Sequence, residues 1–139
     1  MIRIVLASHG RLAEGMRESV RLIMGNTDAV TTICAYCEPG ISLGEQIERT
    51  LSLFAPEDKV IVVTDVFGGS VNNEFMKYIK KDCFYLIAGM NMPLVIQLLT
   101  MDDTEHVEEA LDTYLLEARK GIVNCNTLLK ECEAVEEDF

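Results

Sequence analysis

His9 is one of only two histidines in the chain. It follows directly on an apolar run, Ile4 to Ala7, with Ser8 before it and Gly10 after it. An imidazole at the end of such a run is a candidate nucleophile, because its neutral nitrogen can attack an electrophile near neutral pH. That role requires a partner to hold the second ring nitrogen as N–H. Asp65 suits it, since it too stands just past an apolar run, Val60-Ile61-Val62-Val63, in the segment Thr64-Asp65-Val66-Phe67-Gly68-Gly69-Ser70. A carboxylate that accepts from Nδ1–H fixes the tautomer and leaves Nε2 free to react. Gly68 and Gly69 allow close approach of backbone, amides leading into a helix favour an oxyanion such as phosphate, and Ser70 adds a hydroxyl donor. The set reads as a histidine nucleophile, an orienting aspartate and a phosphate nest. Taken singly, each residue has a plainer reading: a surface imidazole, a turn-capping carboxylate, glycines required by the backbone alone.

Other residues carry less chemistry. Cys34-Ala-Tyr-Cys37 has the spacing of a redox or zinc pair. A zinc site needs a second ligand pair, and no other CxxC or HxxxH occurs, so no metal is expected. A redox pair usually opens a helix, which lowers the thiol pKa, whereas this one ends an apolar run and precedes Glu38-Pro39-Gly40. Cys83, Cys125 and Cys132 read as small hydrophobes. His106, set among Asp103, Glu105 and Glu108, reads as a solvated surface residue.

The elements that must position these groups alternate. Ile2 to Ala7 is strand-like; Leu12, Met16, Val20 and Ile23 then recur at helical spacing until Gly25-Asn26. Val30 to Tyr36 is a second strand, and Ser42 with Glu45 makes a capping box for a helix carrying Leu43, Ile47, Leu51 and Phe54. Val60 to Val63 is apolar on both faces and so central. A helix follows Ser70 and ends near Lys80-Lys81; Phe84 to Ala88 is a fourth strand. Pro93 suits the first position of a helix to Leu99, and a long helix runs from about Asp103, with Val107, Ala110, Leu111, Tyr114, Leu115 and Ala118 inward. Gly121 to Cys125 is expected as a short last strand. Short connections between alternating strands and helices predict a three-layer α/β/α sandwich with a mainly parallel, flavodoxin-like sheet of order 2-1-3-4. Ligands bind such sheets at the carboxyl ends of the strands, where strand order reverses, and there strands one and three bring His9 beside Asp65.

Composition bounds the partners. The chain has 139 residues and a net charge of −11, which suits one domain with a core that needs no staples. The acidity argues against nucleic acid and against an anionic membrane surface. No apolar run approaches the ~18 residues of a membrane span, and Ile4 to Ala7 is too short for a signal-peptide core. An odd number of cysteines, five, fits reducing cytoplasm.

Ala7-Ser8-His9-Gly10 with Leu12-Ala13-Glu14-Gly15, then Asp65 to Ser70 with Asn72, then Gly89-Met90-Asn91-Met92-Pro93, resemble the mannose-type enzyme IIA. This is the phosphocarrier component of the bacterial sugar phosphotransferase system, and the resemblance runs in order over essentially the whole chain. It implies that His9 is the phosphorylated residue, Asp65 its hydrogen-bond partner and Ser70 a phosphate contact. It further implies phospho-HPr as donor, a IIB protein as acceptor, IIC and IID as the membrane components downstream, and no cofactor. A homodimer with an exchanged edge strand is implied as well, with Gly121 to Cys125 as that strand. Val71 stands where a proline is common after the serine, a departure that removes no chemical group. Residues 1–130 are expected to form one free-standing IIA domain, and residues 131–139 an acidic, solvated tail.

Three rivals use overlapping parts. The phosphoryl carrier that feeds dihydroxyacetone kinase has a glycine loop less like Phe67 to Ser70. A histidine phosphatase wants an arginine directly before the histidine and a second catalytic histidine; Ser8 fills the first place, and only His106 could fill the second. A regulatory module whose phosphorylation controls a partner would use the same His9.

Overall fold

Side-chain alternation along the strands decides the layering. In β1 (Ile2–His9), Ile2, Ile4 and Leu6 enter one apolar cluster, while Val5 and Ala7 enter another on the opposite face. In β3 (Lys59–Thr64), Ile61 and Val63 face the first cluster, Val60 and Val62 the second. Strands that are apolar on both faces belong in the middle of a sheet covered on both sides. In the computed structural model, which describes residues 1–104 and 106–137, they lie there. The sheet order is β2-β1-β3-β4, with β2 at Val30–Ala35 and β4 at Phe84–Ala88, and all pairs are parallel.

Helices α1 (Leu12–Met24), α4 (Met92–Leu99) and α5 (Val107–Lys120) cover one face through Ala13 and Val20, Leu94, Val95 and Leu98, and Val107, Leu111 and Ala118. Helices α2 (Leu43–Ser52) and α3 (Ser70–Phe75) cover the other through Ile47, Val71 and Phe75. The expected three-layer sandwich of order 2-1-3-4 is therefore present. Local signals set the helix starts: Ser42 Oγ accepts from the Glu45 N–H at 3.2 Å, and Asn91 Oδ1 from the Leu94 N–H at 3.0 Å. The Asn91 amide also donates to the Ala118 carbonyl (3.2 Å), tying the loop after β4 to the end of α5.

Four boundaries differ from expectation. The helix after Ser70 ends at Phe75 and passes into a single 3-10 turn, Met76–Tyr78, well before Lys80-Lys81. Pro93 occupies the second position of α4, not the first. The long helix begins at Val107 instead of about Asp103, because Asp102 Oδ1 accepts from the Thr104 N–H at 2.9 Å and holds that stretch in a turn. The expected strand Gly121 to Cys125 is not formed in this chain. Residues 121–124 are irregular, and α6 (Cys125–Glu137) follows. The cause is local: Asn124 Oδ1 accepts from the Asn126 N–H at 3.1 Å and caps the helix start. Glu131 and Glu133 are exposed and lie on this helix. Cys125 and Cys132 are exposed, so their reading as small hydrophobes finds no burial to support it.

At the carboxyl end of the sheet β1 and β2 finish together, and β3 stops two residues short of them. Ala7 pairs with Thr64 and His9 with Ala35, so Asp65 and Tyr36, one residue beyond their strands, flank His9.

Candidate functional site

The turn that presents His9 is built by its two neighbours. Ser8, buried, accepts the Ala13 N–H on Oγ at 2.8 Å and donates to the Gly10 carbonyl at 3.1 Å, which fastens the start of α1 to the strand end. Gly10 takes φ +61° and donates its N–H to the Ala35 carbonyl at 3.0 Å. The chain thus reverses immediately after His9 and leaves the imidazole at the rim, with its side chain 45% exposed.

Asp65 grips His9 twice. One oxygen, Oδ2, accepts the His9 backbone N–H at 2.8 Å and lies 2.8 Å from Nδ1; the other, Oδ1, accepts the Val66 N–H at 3.0 Å. The Asp65 side chain is only 5% exposed. Burial pushes its pKa up, but the His9 backbone N–H, the His9 ring and the Val66 N–H together outweigh that and hold it below the usual carboxylate value. The carboxyl is thus ionised near neutrality and can only accept. Nδ1 must then carry the proton, and Nε2 presents its lone pair. Ser70 Oγ stands 3.0 Å from that nitrogen and 2.7 Å from the Tyr36 hydroxyl, whose ring centroid is 5.7 Å from the imidazole.

Gly69 is glycine for a steric reason. A β-carbon there would stand 3.3 Å from His9 Cε1 and 3.4 Å from the Val66 carbonyl. Gly68 takes φ +77°, which favours glycine as well. Their amides are not idle: Gly68 N–H donates to Asn72 Oδ1 at 3.2 Å and Gly69 N–H to the Val66 carbonyl at 3.2 Å. A nest of two waiting glycine amides is therefore not what the structure holds. Asn72 is buried and also donates to Thr64 Oγ1 at 3.2 Å, so it braces the loop against the end of β3.

His9, Asp65, Gly69 and Ser70 thus meet, with Gly68 one residue along the same loop. His106 does not join them; it is exposed and precedes α5. Cys34, Cys37 and Cys83 are partly buried free thiols. Sequence reasoning missed Tyr36, which reads as the last residue of a β-branched strand. The usable signal was topological: β2 lies beside β1, so the residue after β2 also faces the strand ends at the switch point.

Two carboxylates respond to acid alike. Asp58 is also held below its usual value, chiefly by the Ala55 N–H, against a burial effect, with Arg3 and the chain amino group assisting. A carboxyl with a depressed folded pKa contributes stability that is complete above the unfolded value, about 3.9, and lost as pH falls through the lower folded value. Urea unfolding followed by circular dichroism should show a stability plateau above about pH 5 and a steady decline below about pH 4. Unchanged stability down to pH 2 would contradict these contacts.

Residues 3–115 match the family model EIIA-man, described as the fructose IIA component of the PTS. The chain belongs to this family. EIIA-man relatives cover nearly all of it. The fructose-specific EIIA component of Bacillus subtilis strain 168 is 22% identical, over 99% of this chain and 96% of its own. The mannose-specific EIIAB component of Escherichia coli K12 is 27% identical over 126 residues, 87% of this chain and 38% of the longer relative. Among solved structures, a Klebsiella pneumoniae protein assigned to the phosphoenolpyruvate-dependent sugar phosphotransferase system as a permease superposes with a TM-score of 0.88. It shares 38% identity, over 92% of this chain and 93% of that one. As an EIIA-man protein, the chain is a component of the sugar phosphotransferase system. Among the described residues, no helix is long and apolar enough to cross a membrane.

Proposed function

We propose that this EIIA-man protein is a phosphocarrier that accepts a phosphoryl group from phospho-HPr on His9 and passes it to a IIB component, and through it to the IIC and IID membrane components. The observation that carries this reading is the division of labour on the imidazole. Nδ1 is committed to a buried, ionised Asp65 at 2.8 Å, and Nε2 is left with a lone pair beside Ser70 at the exposed rim.

The step balances simply. The Nε2 lone pair of His9 forms a new bond to phosphorus while the phosphorus–nitrogen bond of the donor's histidine breaks, its electron pair staying on the donor ring. No proton changes owner, and Nδ1–H stays with Asp65. The His9 ring acquires positive character as the bond forms, and the adjacent carboxylate stabilises it. A loose, metaphosphate-like transfer depends on alignment and charge stabilisation more than on covalent help. Ser70 Oγ supplies a donor at the phosphoryl position, and the absence of side chains at Gly68 and Gly69 leaves room for the group against the ring. No metal is required by this chemistry.

Exposure of the site suits transfer between proteins. Val66 and Phe67, 56% and 84% exposed, stand in the loop between Asp65 and Ser70 and offer apolar surface to a protein partner. A homodimer is part of the same reading: β4 is a sheet edge, and Ile122 and Val123 stand exposed just beyond α5. In this reading the relay runs in the cytoplasm, alongside its donor. The reading is tested by incubation with enzyme I, HPr and labelled phosphoenolpyruvate. Acid-labile, alkali-stable label on the chain, chased off by a IIB protein, is expected; no label overturns the proposal.

A further inference from the structure

Tyr36 has a backbone conformation that its packing does not call for. It sits directly after β2 with φ +66°, a left-handed region that a bulky residue enters against steric resistance. Its side chain is 65% exposed, so burial of the ring does not account for the conformation. The strained backbone instead carries the hydroxyl to 2.7 Å from Ser70 Oγ, with the ring tilted 46° to the His9 imidazole. Strain at a functional site is worth a functional explanation when the outlier is observed first.

Hydrogen-bond bookkeeping gives the contact a direction. Nε2 can only accept, because Asp65 keeps the ring proton on Nδ1. Ser70 therefore spends its single proton on Nε2, 3.0 Å away, and cannot also donate to Tyr36. Tyr36 must donate to Ser70 Oγ. The chain of donors runs from Tyr36 through Ser70 to His9.

We infer that Tyr36 is a positioning residue for phosphoryl transfer, acting through Ser70. The inference rests on the phosphocarrier reading above and extends it to a residue outside the glycine loop. When the Nε2 lone pair bonds to phosphorus, the Ser70 O–H loses its acceptor and must turn to a phosphoryl oxygen. A hydroxyl rotor without a second contact has several directions open to it. With the Tyr36 O–H occupying one lone pair of Ser70 Oγ, the remaining proton stays aimed at the reacting centre, and it is polarised by the donor behind it.

The test is a double-mutant cycle with Tyr36→Phe, Ser70→Ala and the pair, read as single-turnover transfer from phospho-HPr. Tyr36→Phe removes one oxygen from an exposed ring and keeps the contact with the imidazole. It should slow transfer about fivefold, the rate equivalent of one neutral hydrogen bond. Ser70→Ala should slow it at least as much, and the double variant should match Ser70→Ala alone, because Tyr36 then has nothing to act through. A structural role would not produce that dependence. Wild-type speed in Tyr36→Phe, or a further fivefold loss when it is added to Ser70→Ala, overturns the inference while a labelled wild type leaves the phosphocarrier reading standing. A wild-type chain that takes no label overturns both.

Discussion

Replacing His9 by alanine is expected to reduce phosphoryl acceptance from phospho-HPr to background, while His106→Ala is expected to accept at the wild-type rate. The contrast follows from position. His9 ends β1 at the rim, level with the end of β2 and next to the segment that follows β3, and its Nε2 is a lone-pair nitrogen beside a hydroxyl donor. His106 is exposed just before α5 and is no part of the His9–Asp65–Ser70 set. No neighbour can substitute for His9, since Ser70 lacks a base once the imidazole is gone, and an unactivated hydroxyl is a weak nucleophile. Filter-binding of label from phosphoenolpyruvate measures both variants. The strand end itself is held by Ser8 and Gly10, so His9→Ala should keep its circular dichroism spectrum. Label on His9→Ala at the wild-type rate would remove the nucleophile from the account.

Asp65→Asn should have the second-largest effect, because both carboxylate oxygens face donors. Oδ2 takes the His9 backbone N–H and Nδ1–H, and Oδ1 takes the Val66 N–H. An asparagine has only one accepting atom to offer. With its oxygen toward His9, its NH2 confronts the Val66 N–H. With the amide flipped, NH2 confronts the His9 backbone and Nδ1, the ring proton moves to Nε2, and the lone pair that attacks phosphorus is lost. Either arrangement also removes the negative charge that stabilises the ring as the phosphorus bond forms. A wrong tautomer has severe consequences in analogous histidine chemistry, and a drop in transfer rate of about a hundredfold or more is expected here. One unsatisfied donor costs about 1–3 kcal/mol, so unfolding should shift modestly while transfer collapses. Near-wild-type transfer in Asp65→Asn would mean that the carboxylate merely holds a turn.

The layered fold was legible because its signals are strong and local. Val60 to Val63 is apolar on both faces and had to be central. Leu12, Met16, Val20 and Ile23 mark a helix by spacing, and strand order then placed His9 beside Asp65 without any coordinate. Three features were not legible, each for a physical reason. Tyr36 looked like a strand residue because β-propensity says nothing of the φ at which a strand ends. The carboxyl-terminal segment looked like a strand because Ile122-Val123 is β-branched, but the Asn124 cap starts a helix at Cys125 and overrides it. The phosphate nest looked like free glycine amides because spacing cannot reveal that Asn72 and the Val66 carbonyl already accept from them.

The central claim is that Nε2 of His9 carries the phosphoryl group while Nδ1 keeps its proton against Asp65. Phosphorus–nitrogen coupling in NMR spectra of the 15N-labelled protein, phosphorylated through enzyme I and HPr, tests it directly. The account predicts one phosphohistidine, with phosphorus coupled to Nε2 of His9 and a protonated Nδ1. Phosphorus coupled to Nδ1, or attached to Ser70 or to any other residue, would contradict it.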